Sequence, residues 1–479
     1  MPDTSVIYWI RNDLRLADNP ALTAAVKAGT VIPVYIWSPA EEGAWTPGGA
    51  SRAWLDASLR ALSEAYAAAG SRLLMRAGRT AEILLALCAE TGAEAVYASR
   101  RYEPDALRQE ASVRDALKEA GIALRMYNGS LLNAPDAIAT QAGEPYKVFT
   151  PYYRACLAGK DPGEPYPAPE RIKAPKSWPA SDGLEALRLA PDHPWGDAML
   201  SHWGVGEAAA LSALDDFATG PVESYPDLRD RPGETGTSRL SPHLHFGEVS
   251  PRQVFHAVAS GGGTGLGAAR EACIRQLYWR EFAHHLLYYF PHTPEEPLKD
   301  MFAPFPWVRD AGALRRWQRG QTGYPFVDAG MRELWVTGWM HNRVRMVVAS
   351  FLVKDLRIHW RAGADWFWDT LADANLANNT LGWQWVAGCG ADAAPYFRVF
   401  NPITQGMKFD PEGAYVRRWV PELAKVPDKY LHAPWTTPPI ELAACGVTLG
   451  KDYPQPMVDH DEARKTALAI YDEIKSARR

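Results

Sequence analysis

Cysteine is scarce in this 479-residue chain, and no two cysteines form a C-x-x-C pair. The five thiols are scattered at Cys88, Cys156, Cys273, Cys389 and Cys445. Their spacing argues against a disulfide framework or a four-thiolate metal cluster, so we expect no metal site. Long apolar runs are also missing: no window approaches the roughly 18 apolar residues of a membrane span, and charge comes too early for a signal peptide. We therefore expect a cytoplasmic protein with no membrane partner.

An excess of positive charge is missing as well, because 51 Lys and Arg face 56 Asp and Glu. Phosphates are neutralised by local patches rather than by net charge. The second half of the chain contains Arg clusters among aromatic residues, at Arg315–Arg319, Arg343–Arg345 and Arg417–Arg418. Each cluster fits a solvated helix face as well as a phosphate-binding patch. Charge alone thus leaves DNA binding open.

The first 130 residues lack the G-x-G-x-x-G motif that usually cradles a dinucleotide. Short apolar runs alternate there with helical patterns such as Ser51–Ala69 and Thr80–Thr91. The runs predict strands at Val6–Ile10, Val31–Trp37, Arg72–Met75, Ala95–Ala98 and Leu124–Tyr127. This alternation predicts a Rossmann-like α/β domain with a parallel five-stranded sheet over residues 1–130. Since Arg11-Asn-Asp-Leu-Arg follows the first strand, we expect any dinucleotide cofactor to bind elsewhere.

Prolines recur every few residues over much of 131–202 and predict an interdomain linker laid over the surface. From 203 to 479 the pattern is largely helical, with Gly and Pro between the helical segments. The chain therefore divides into an α/β domain, a linker and an all-α domain.

Tryptophan, by contrast, is abundant, with 19 residues, most of them in the helical part. Any single Trp is explained by core packing. Three segments, however, place Trp beside Arg, Asn or Gln, at 278–282, 338–345 and 382–385. Aromatic faces combined with amide and guanidinium edges suit the stacking and hydrogen bonding of a flat heterocycle.

Together with further motifs, these segments resemble the signatures of the photolyase/cryptochrome family. The matching stretches are Arg11–Asn19, Thr237–Pro242, Trp279–Phe282, Thr322–Arg332, Trp339–Met346, Asn378–Trp385 and Asp392–Pro402. The resemblance covers essentially the whole chain, in the family's order. It implies an α/β antenna-chromophore domain, an all-α C-terminal FAD-binding domain and a monomer. The implied enzyme is a carbon–carbon lyase that repairs cyclobutane pyrimidine dimers in UV-damaged DNA, by light-driven electron transfer from reduced FAD to a flipped-out dimer.

The family's FAD-binding residues carry over onto a set of matching positions. Hydroxyl-bearing residues around Thr237 match the segment that grips the flavin phosphates, Arg345 and Asp373 match an ion pair against the isoalloxazine, and Asn379 matches the residue facing flavin N5. Helix capping and surface pairing are the alternative explanations. The full set is Tyr225, Thr237, Ser238, Leu240, Ser241, Arg280, Trp339, Asn342, Arg345, Asp373, Asn375 and Asn379.

The resemblance also implies a DNA-contacting set and an electron relay. Trp279 and Trp385 match aromatics that line the lesion cavity, where stacking worth roughly 1–3 kcal/mol per base offsets the cost of flipping. The DNA set is Arg229, Gln276, Trp279, Asn342, Arg343, Met346 and Trp385. The electron-transfer set is Trp307, Trp360 and Trp383, with Asn379 at the flavin; core packing is the alternative for each Trp.

Two positions depart from the pattern of cyclobutane-dimer enzymes. Gln276 stands where Glu is usual, and a Gln is also found there in (6-4) photolyases. Against the (6-4) alternative, Asn342 and Met346 replace the His pair that the animal (6-4) enzymes need. Asn375 stands where Asp is usual, which bears on flavin hydrogen bonding.

A blue-light receptor of the cryptochrome type is the non-enzymatic alternative. Ile36–Gly43 and Pro47–Leu55 resemble plant cryptochromes and also class III photolyases, a related bacterial group. Plant-type receptors usually have Asp at the position of Asn379, so a class III repair enzyme fits both halves best. A generic flavin oxidoreductase is a third alternative. The class III resemblance implies 5,10-methenyltetrahydrofolate as antenna chromophore, with no ligands assigned.

Overall fold

A computed structural model of the chain describes residues 4–159, 161–191, 194–260, 267–396 and 398–476; Phe397, in one of the family-like motifs, lies outside these ranges. The strands are β1 (Ser5–Ile10), β2 (Thr30–Trp37), β3 (Leu74–Ala77), β4 (Ala95–Ser99) and β5 (Ala123–Tyr127). They form one parallel sheet in the order β3-β2-β1-β4-β5. Five strands were predicted, and five are observed within the described residues.

The helices up to residue 289 are α1 (Pro20–Ala28), α2 (Gly49–Ala68), α3 (Thr80–Thr91), α4 (Pro104–Glu119), α5 (Phe149–Leu157), α6 (Trp195–Leu200), α7 (Glu207–Thr219), α8 (Tyr225–Leu228), α9 (Ser241–Phe246), α10 (Pro251–Ala259) and α11 (Ala268–Tyr289). The remaining helices are α12 (Ala311–Gln318), α13 (Pro325–Thr337), α14 (Asn342–Ser350), α15 (Trp360–Thr370), α16 (Leu376–Ala387), α17 (Pro402–Phe409), α18 (Ala414–Trp419), α19 (Asp428–Leu431), α20 (Pro439–Ala444) and α21 (His460–Ser476). A π-helical turn at Phe351–Asp355 follows α14. The predicted helical character beyond residue 203 is confirmed.

The central strand β1 shows why the apolar runs form a sheet buried on both faces. Its side chains alternate between two hydrophobic clusters: Val6, Tyr8 and Ile10 belong to one, and Ile7 and Trp9 belong to the other. Side chains alternate across a strand, so a continuous apolar run supplies both faces of a covered parallel sheet.

The carboxyl ends of β1 and β4 lie where the strand order reverses, which is the usual ligand crevice of an open α/β sheet. Buried side chains of the protein form a hydrogen-bond network at this position. Asp13 accepts hydrogen bonds from Tyr8 Oη at 2.5 Å and Ser99 Oγ at 2.7 Å, and the buried Arg11 donates to the Ser99 carbonyl oxygen. This internal network agrees with the missing glycine motif.

The chain clusters into two compact units. The sheet unit comprises Met1–Glu223, Ser238–Pro291 and Ala372–Ala377, and the helical unit comprises Ser224–Thr237, His292–Leu371 and Asn378–Arg479. Helices α9 to α11 thus cluster with the sheet. The predicted bounds at 130 and 202 stay predictions, but α5, inside the predicted surface linker, buries Phe149 and Tyr152.

None of the described helices is long and apolar enough to cross a membrane.

Candidate functional site

In the sheet unit, Trp279 lies flat against another aromatic ring. Its indole is half-buried on α11 and stacks on Phe149 of α5, with ring centroids 3.7 Å apart and an interplanar angle of 7°. Phe282 packs edge-on against the indole at 5.9 Å. Because Phe149 covers one face of the indole, a base that stacks on Trp279 has only the opposite face to use. Phe149 was not identified from the sequence, because no neighbouring residue in the chain indicates that it packs on Trp279.

One turn of α11 before Trp279, two neighbouring side chains are also engaged. Gln276 Nε2 donates to the carbonyl oxygen of Ala272 at 3.2 Å, so its amide donor is turned toward its own helix. The Arg275 guanidinium lies over the rings of Phe149 and Tyr153, at 5.3 and 5.5 Å from their centroids. The cation therefore supports the ring on which Trp279 stacks.

Arg280 and Glu281 anchor α11 to a distant loop. Arg280 donates to the carbonyl oxygens of Ser130 at 2.8 Å and Leu244 at 3.4 Å. Glu281 accepts the backbone amides of Leu132 at 3.0 Å and Asn133 at 2.8 Å. Burial lowers the pKa of Arg280 and raises the pKa of Glu281 to about 7. Arg280 thus has a structural role in the fold, and its binding to FAD stays a prediction.

Asn375, one of the two departures from the pattern, is bonded to a histidine. His284 Nδ1 lies 2.9 Å from the carbonyl oxygen of Arg280, which can only accept, so Nδ1 carries the proton. Asn375 Nδ2 then donates to His284 Nε2 at 3.3 Å. Burial lowers the pKa of His284 to about 4, so the ring is neutral near pH 7. Asn suits this tautomer because its amide supplies the donor that an ionised Asp lacks.

The hydroxyl-rich segment around residue 240 lies at the start of α9. In the sheet unit, Ser238 Oγ accepts the amide of Leu240 at 3.4 Å, and Ser241 is the first residue of α9. Arg239 between them has φ of 51°, a conformation that non-glycine residues rarely adopt. Such strain clusters at binding sites. The helical unit holds the other two matched residues, Thr237 and Tyr225, and the Arg229 guanidinium lies 5.3 Å over the Tyr225 ring.

In the helical unit, Arg343 is held between a carboxylate and a ring. Its Nη2 lies 2.8 Å and its Nε 3.3 Å from the two carboxylate oxygens of Asp230, and its guanidinium lies 4.4 Å over the centroid of Phe409. Glu333 fixes the start of α14 by accepting the amide of His341 at 3.2 Å and Tyr415 Oη at 2.6 Å. These hydrogen bonds tie the beginning of α14 to α13 and α18.

The other matched residues near α14 have different exposures. Asn342 is exposed as the first residue of the helix, Met346 is half-buried one turn later, and Trp339 is buried, edge-on to the His341 ring at 6.2 Å. Arg345 Nε donates to the Met340 carbonyl oxygen at 2.7 Å. Arg345 belongs to the helical unit and Asp373 to the sheet unit, so their pairing stays a prediction.

Asn379 on α16 is oriented by its own amide. Its Nδ2 donates to the carbonyl oxygen of Ala364 at 3.0 Å, which directs the donor end of the side chain toward α15. The oxygen Oδ1 is then the atom of this amide that can accept a hydrogen bond from a protonated partner. Later in α16, the buried Gln384 donates to the carbonyl oxygens of Thr293 and Glu296, and Trp385 beside it is half-buried.

The three relay tryptophans have distinct ring neighbours in the helical unit. The His359 ring lies 5.0 Å from Trp307 and 5.3 Å from Trp360, so it contacts both. Trp383 is buried against Phe367 at 5.0 Å and Trp317 at 6.2 Å. Its indole also requires Gly363, because a Cβ there would lie 2.0 Å from Trp383 Cη2. Sequence reasoning did not identify His359 or Gly363.

Comparisons with known proteins find relatives that match nearly the whole chain. Residues 6–170 match the DNA photolyase family model, and residues 273–473 match the model described as the FAD binding domain of DNA photolyase. A deoxyribodipyrimidine photo-lyase of Agrobacterium fabrum is 48% identical over 475 residues, which cover 98% of each chain. Cryptochrome-1 of Arabidopsis thaliana is 40% identical, over 96% of this chain and 69% of its own.

The fold agrees equally well with a solved structure. The crystal structure of a bacterial class III photolyase from Agrobacterium tumefaciens superposes with a TM-score of 0.96 at 46% identity, covering 99% of this chain and 98% of that one. The predicted family, the fold class and an FAD-binding domain are thereby confirmed. This chain belongs to the photolyase/cryptochrome family.

Proposed function

We propose that this protein uses light to split cyclobutane pyrimidine dimers in DNA, as a deoxyribodipyrimidine photo-lyase. The supporting observation is the half-buried Trp279, held flat on Phe149 so that one face of its indole can receive a flat base. The near full-length likeness to an Agrobacterium fabrum photo-lyase favours the same reaction. An electron enters the dimer, two carbon–carbon bonds between the pyrimidines break, and the electron returns. The reaction thus has no net redox change.

Bound FAD would supply the excited electron, and the chemistry of the matched side chains fits FAD. In the helical unit, Asn379 keeps its acceptor Oδ1 for a protonated ring nitrogen while its donor is engaged by Ala364. Thr237, in the same unit, offers a hydroxyl suited to a phosphate. In the sheet unit, Ser238 and Ser241 flank the strained Arg239. Tyr225, Leu240, Arg280, Trp339, Asn342, Arg345, Asp373 and Asn375 complete the proposed FAD set.

The proposed lesion contacts combine stacking, hydrogen bonds and charge. Trp279 and Trp385 stack on the bases, and Gln276 and Asn342 offer amides. Met346 contributes an apolar surface, and Arg343 and Arg229 contribute cations. Stacking worth about 1–3 kcal/mol per base offsets the few kcal/mol that flipping costs.

The deciding experiment illuminates the reduced protein with DNA that carries either a cyclobutane dimer or a (6-4) product. We expect repair of the cyclobutane dimer alone, read by chromatography of the oligonucleotide with its two pyrimidines restored. Repair of the (6-4) product alone would assign the other lesion. Restoration of neither would favour the receptor function suggested by the likeness to Cryptochrome-1.

Trp307, Trp360 and Trp383 are proposed to carry electrons inward under light, with His359 packed between the first two rings. Replacing Trp383 by Phe keeps the ring packing but removes the oxidisable indole. We expect slower photoreduction of the oxidised protein, followed by absorbance, and unchanged repair by chemically reduced protein. Photoreduction at the wild-type rate would remove Trp383 from the relay.

The antenna and the cellular setting complete the proposal. We propose 5,10-methenyltetrahydrofolate as the antenna, which extraction and chromatography of the purified pigment would identify. Since the proposed substrate is DNA, we place the protein in the cytoplasm. The monomer remains part of the proposal. Light scattering of the purified protein, alone and with a dimer-containing duplex, measures the oligomeric state.

A further inference from the structure

Asp230 is an acidic residue bonded to a cation that the proposed function places at the DNA. Both oxygens of its carboxylate face Arg343, at 2.8 Å from Nη2 and 3.3 Å from Nε. The Asp230 side chain is 34% exposed and that of Arg343 is 19% exposed. The carboxylate is therefore the more accessible partner of the ion pair.

Further cations lie close to the pair. Phe409 carries two cations on its ring, Arg343 at 4.4 Å and Lys408 at 5.1 Å from the centroid. Arg231, next in sequence to Asp230, pairs with Glu412 at 2.7 Å. A carboxylate placed among cations weakens the attraction of the whole patch for a phosphate, because it adds a like charge at short range.

We propose that Asp230 is a positioning residue that sets the discrimination between damaged and undamaged DNA, an inference that rests on the proposed function. It holds the Arg343 guanidinium in one orientation against Phe409 and competes with DNA phosphates for it. A duplex bound in an arbitrary register must displace the carboxylate from Arg343. DNA bound with its lesion in place meets Arg343 in the orientation that Asp230 preserves.

Such competition is physically feasible because the pair is weak and reversible. A partly exposed ion pair is worth about 0–1 kcal/mol, so a phosphate can replace it. The contribution of phosphate contacts to affinity also depends on salt, and each neutralised phosphate changes the slope of log K against log salt by about 0.9. Removing the carboxylate should therefore raise non-specific affinity, whereas loss of a merely structural contact should lower it.

The test measures affinity for an undamaged duplex and for the same duplex with one cyclobutane dimer, over a salt series. In Asp230→Asn the charge is lost and the shape is kept. We expect roughly 3–10-fold tighter binding of undamaged DNA, a salt slope steeper by about 1, and a several-fold smaller ratio of damaged to undamaged affinity. Asp230→Glu keeps the charge and should bind undamaged DNA nearly as the wild type does.

The matched control is Glu462→Gln, which removes one negative charge from an ion pair with Lys465 on α21. It should change neither affinity. Equal or weaker binding of undamaged DNA by Asp230→Asn, or the same gain in Glu462→Gln, would overturn the role of Asp230. A wild-type protein without preference for the dimer would instead contradict the proposed function, and its undamaged-DNA measurement would still report the charge effect of Asp230.

Discussion

Helices α11 and α14 each carry a residue proposed to contact DNA, and they hold these residues by different interactions. On α11, Trp279 is supported by the buried ring of Phe149, and the helix is anchored through the buried Glu281. On α14, Arg343 is supported by the half-exposed carboxylate of Asp230. Contacts of the first kind depend on shape and burial, whereas those of the second depend on charge and are screened by salt.

This difference suggests a division of work between the two helices. A stacked indole recognises a flat, extruded base and is indifferent to the phosphate backbone. A guanidinium is attracted by every phosphate and by itself cannot distinguish one duplex from another. Lesion selectivity should therefore come from stacking on α11 and from the competition of Asp230 with DNA for Arg343, and the salt dependence of binding mainly from α14.

The largest expected effect is that of Trp279→Ala. Loss of the stacking surface should weaken binding of dimer-containing DNA by about 5–150-fold, the equivalent of about 1–3 kcal/mol, and leave binding of undamaged DNA and the salt slope nearly unchanged. Fluorescence anisotropy with both duplexes measures this. Trp279→Phe serves as the control that keeps an aromatic face, and equal losses on both duplexes would refute the stacking role.

The next effect concerns the anchor of α11. Burial raises the pKa of Glu281 to about 7 in the folded protein, so the folded state binds the carboxyl proton more tightly than the unfolded state does. The stabilisation that this proton gives to the fold is complete below the ordinary pKa of Glu and is lost as pH rises through about 7. The wild-type free energy of unfolding should fall between pH 5 and pH 8 by about 1–3 kcal/mol relative to Glu281→Gln, which mimics the neutral acid. Urea unfolding across this range measures it. The exposed Glu82→Gln should behave as the wild type does, and parallel pH profiles of Glu281→Gln and the wild type would contradict the burial effect.

A smaller effect is expected from Arg343→Gln on α14. Loss of one cation should weaken binding of damaged DNA by several-fold and reduce its salt slope by about 1, and should weaken binding of undamaged DNA less, because Asp230 already competes with that DNA for Arg343. The same anisotropy series measures it, with Arg464→Gln on α21 as a control for net charge. A larger loss on undamaged than on damaged DNA would contradict the competition by Asp230, and an unchanged salt slope would contradict the phosphate contact of Arg343.

The smallest effect tests the departure at Asn375. In Asn375→Asp a carboxylate would face His284 Nε2 and favour its protonated form, so the pKa of His284 should rise from about 4. NMR titration of labelled histidine follows this shift. Asn375→Ser, which adds no charge, should leave the pKa low, and an unmoved pKa in Asn375→Asp would show that Asn375 does not control the ring.

Much of the architecture could be predicted because its signals are local. Apolar runs such as Val6–Ile10 form strands since alternate side chains supply both faces of the sheet. The order of the Trp-rich motifs identified the family before any contact was known. The burial of Phe149 by α5, inside the proline-rich segment, was not predictable from the prolines, because they indicate only where helices break.

The proposed site was predicted as a set of residues without their partners. Trp279 was recognised by its motif, but Phe149 was not, since the two are brought together only when α5 packs on α11. Asp230 was likewise missed, because it lies 113 residues from Arg343 in the chain. The departure at Asn375 was visible, whereas its consequence depends on His284, which is 91 residues away.

The amino-acid sequence by itself determined the parallel sheet, the helical character of the second half and the family, because periodicity and motif order are properties of neighbouring residues. Only the tertiary structure decided which face of Trp279 is covered, which tautomer His284 adopts and which anion holds Arg343. Stacking, burial and ion pairing act over a few ångströms in space, and the folded chain brings distant residues within that range.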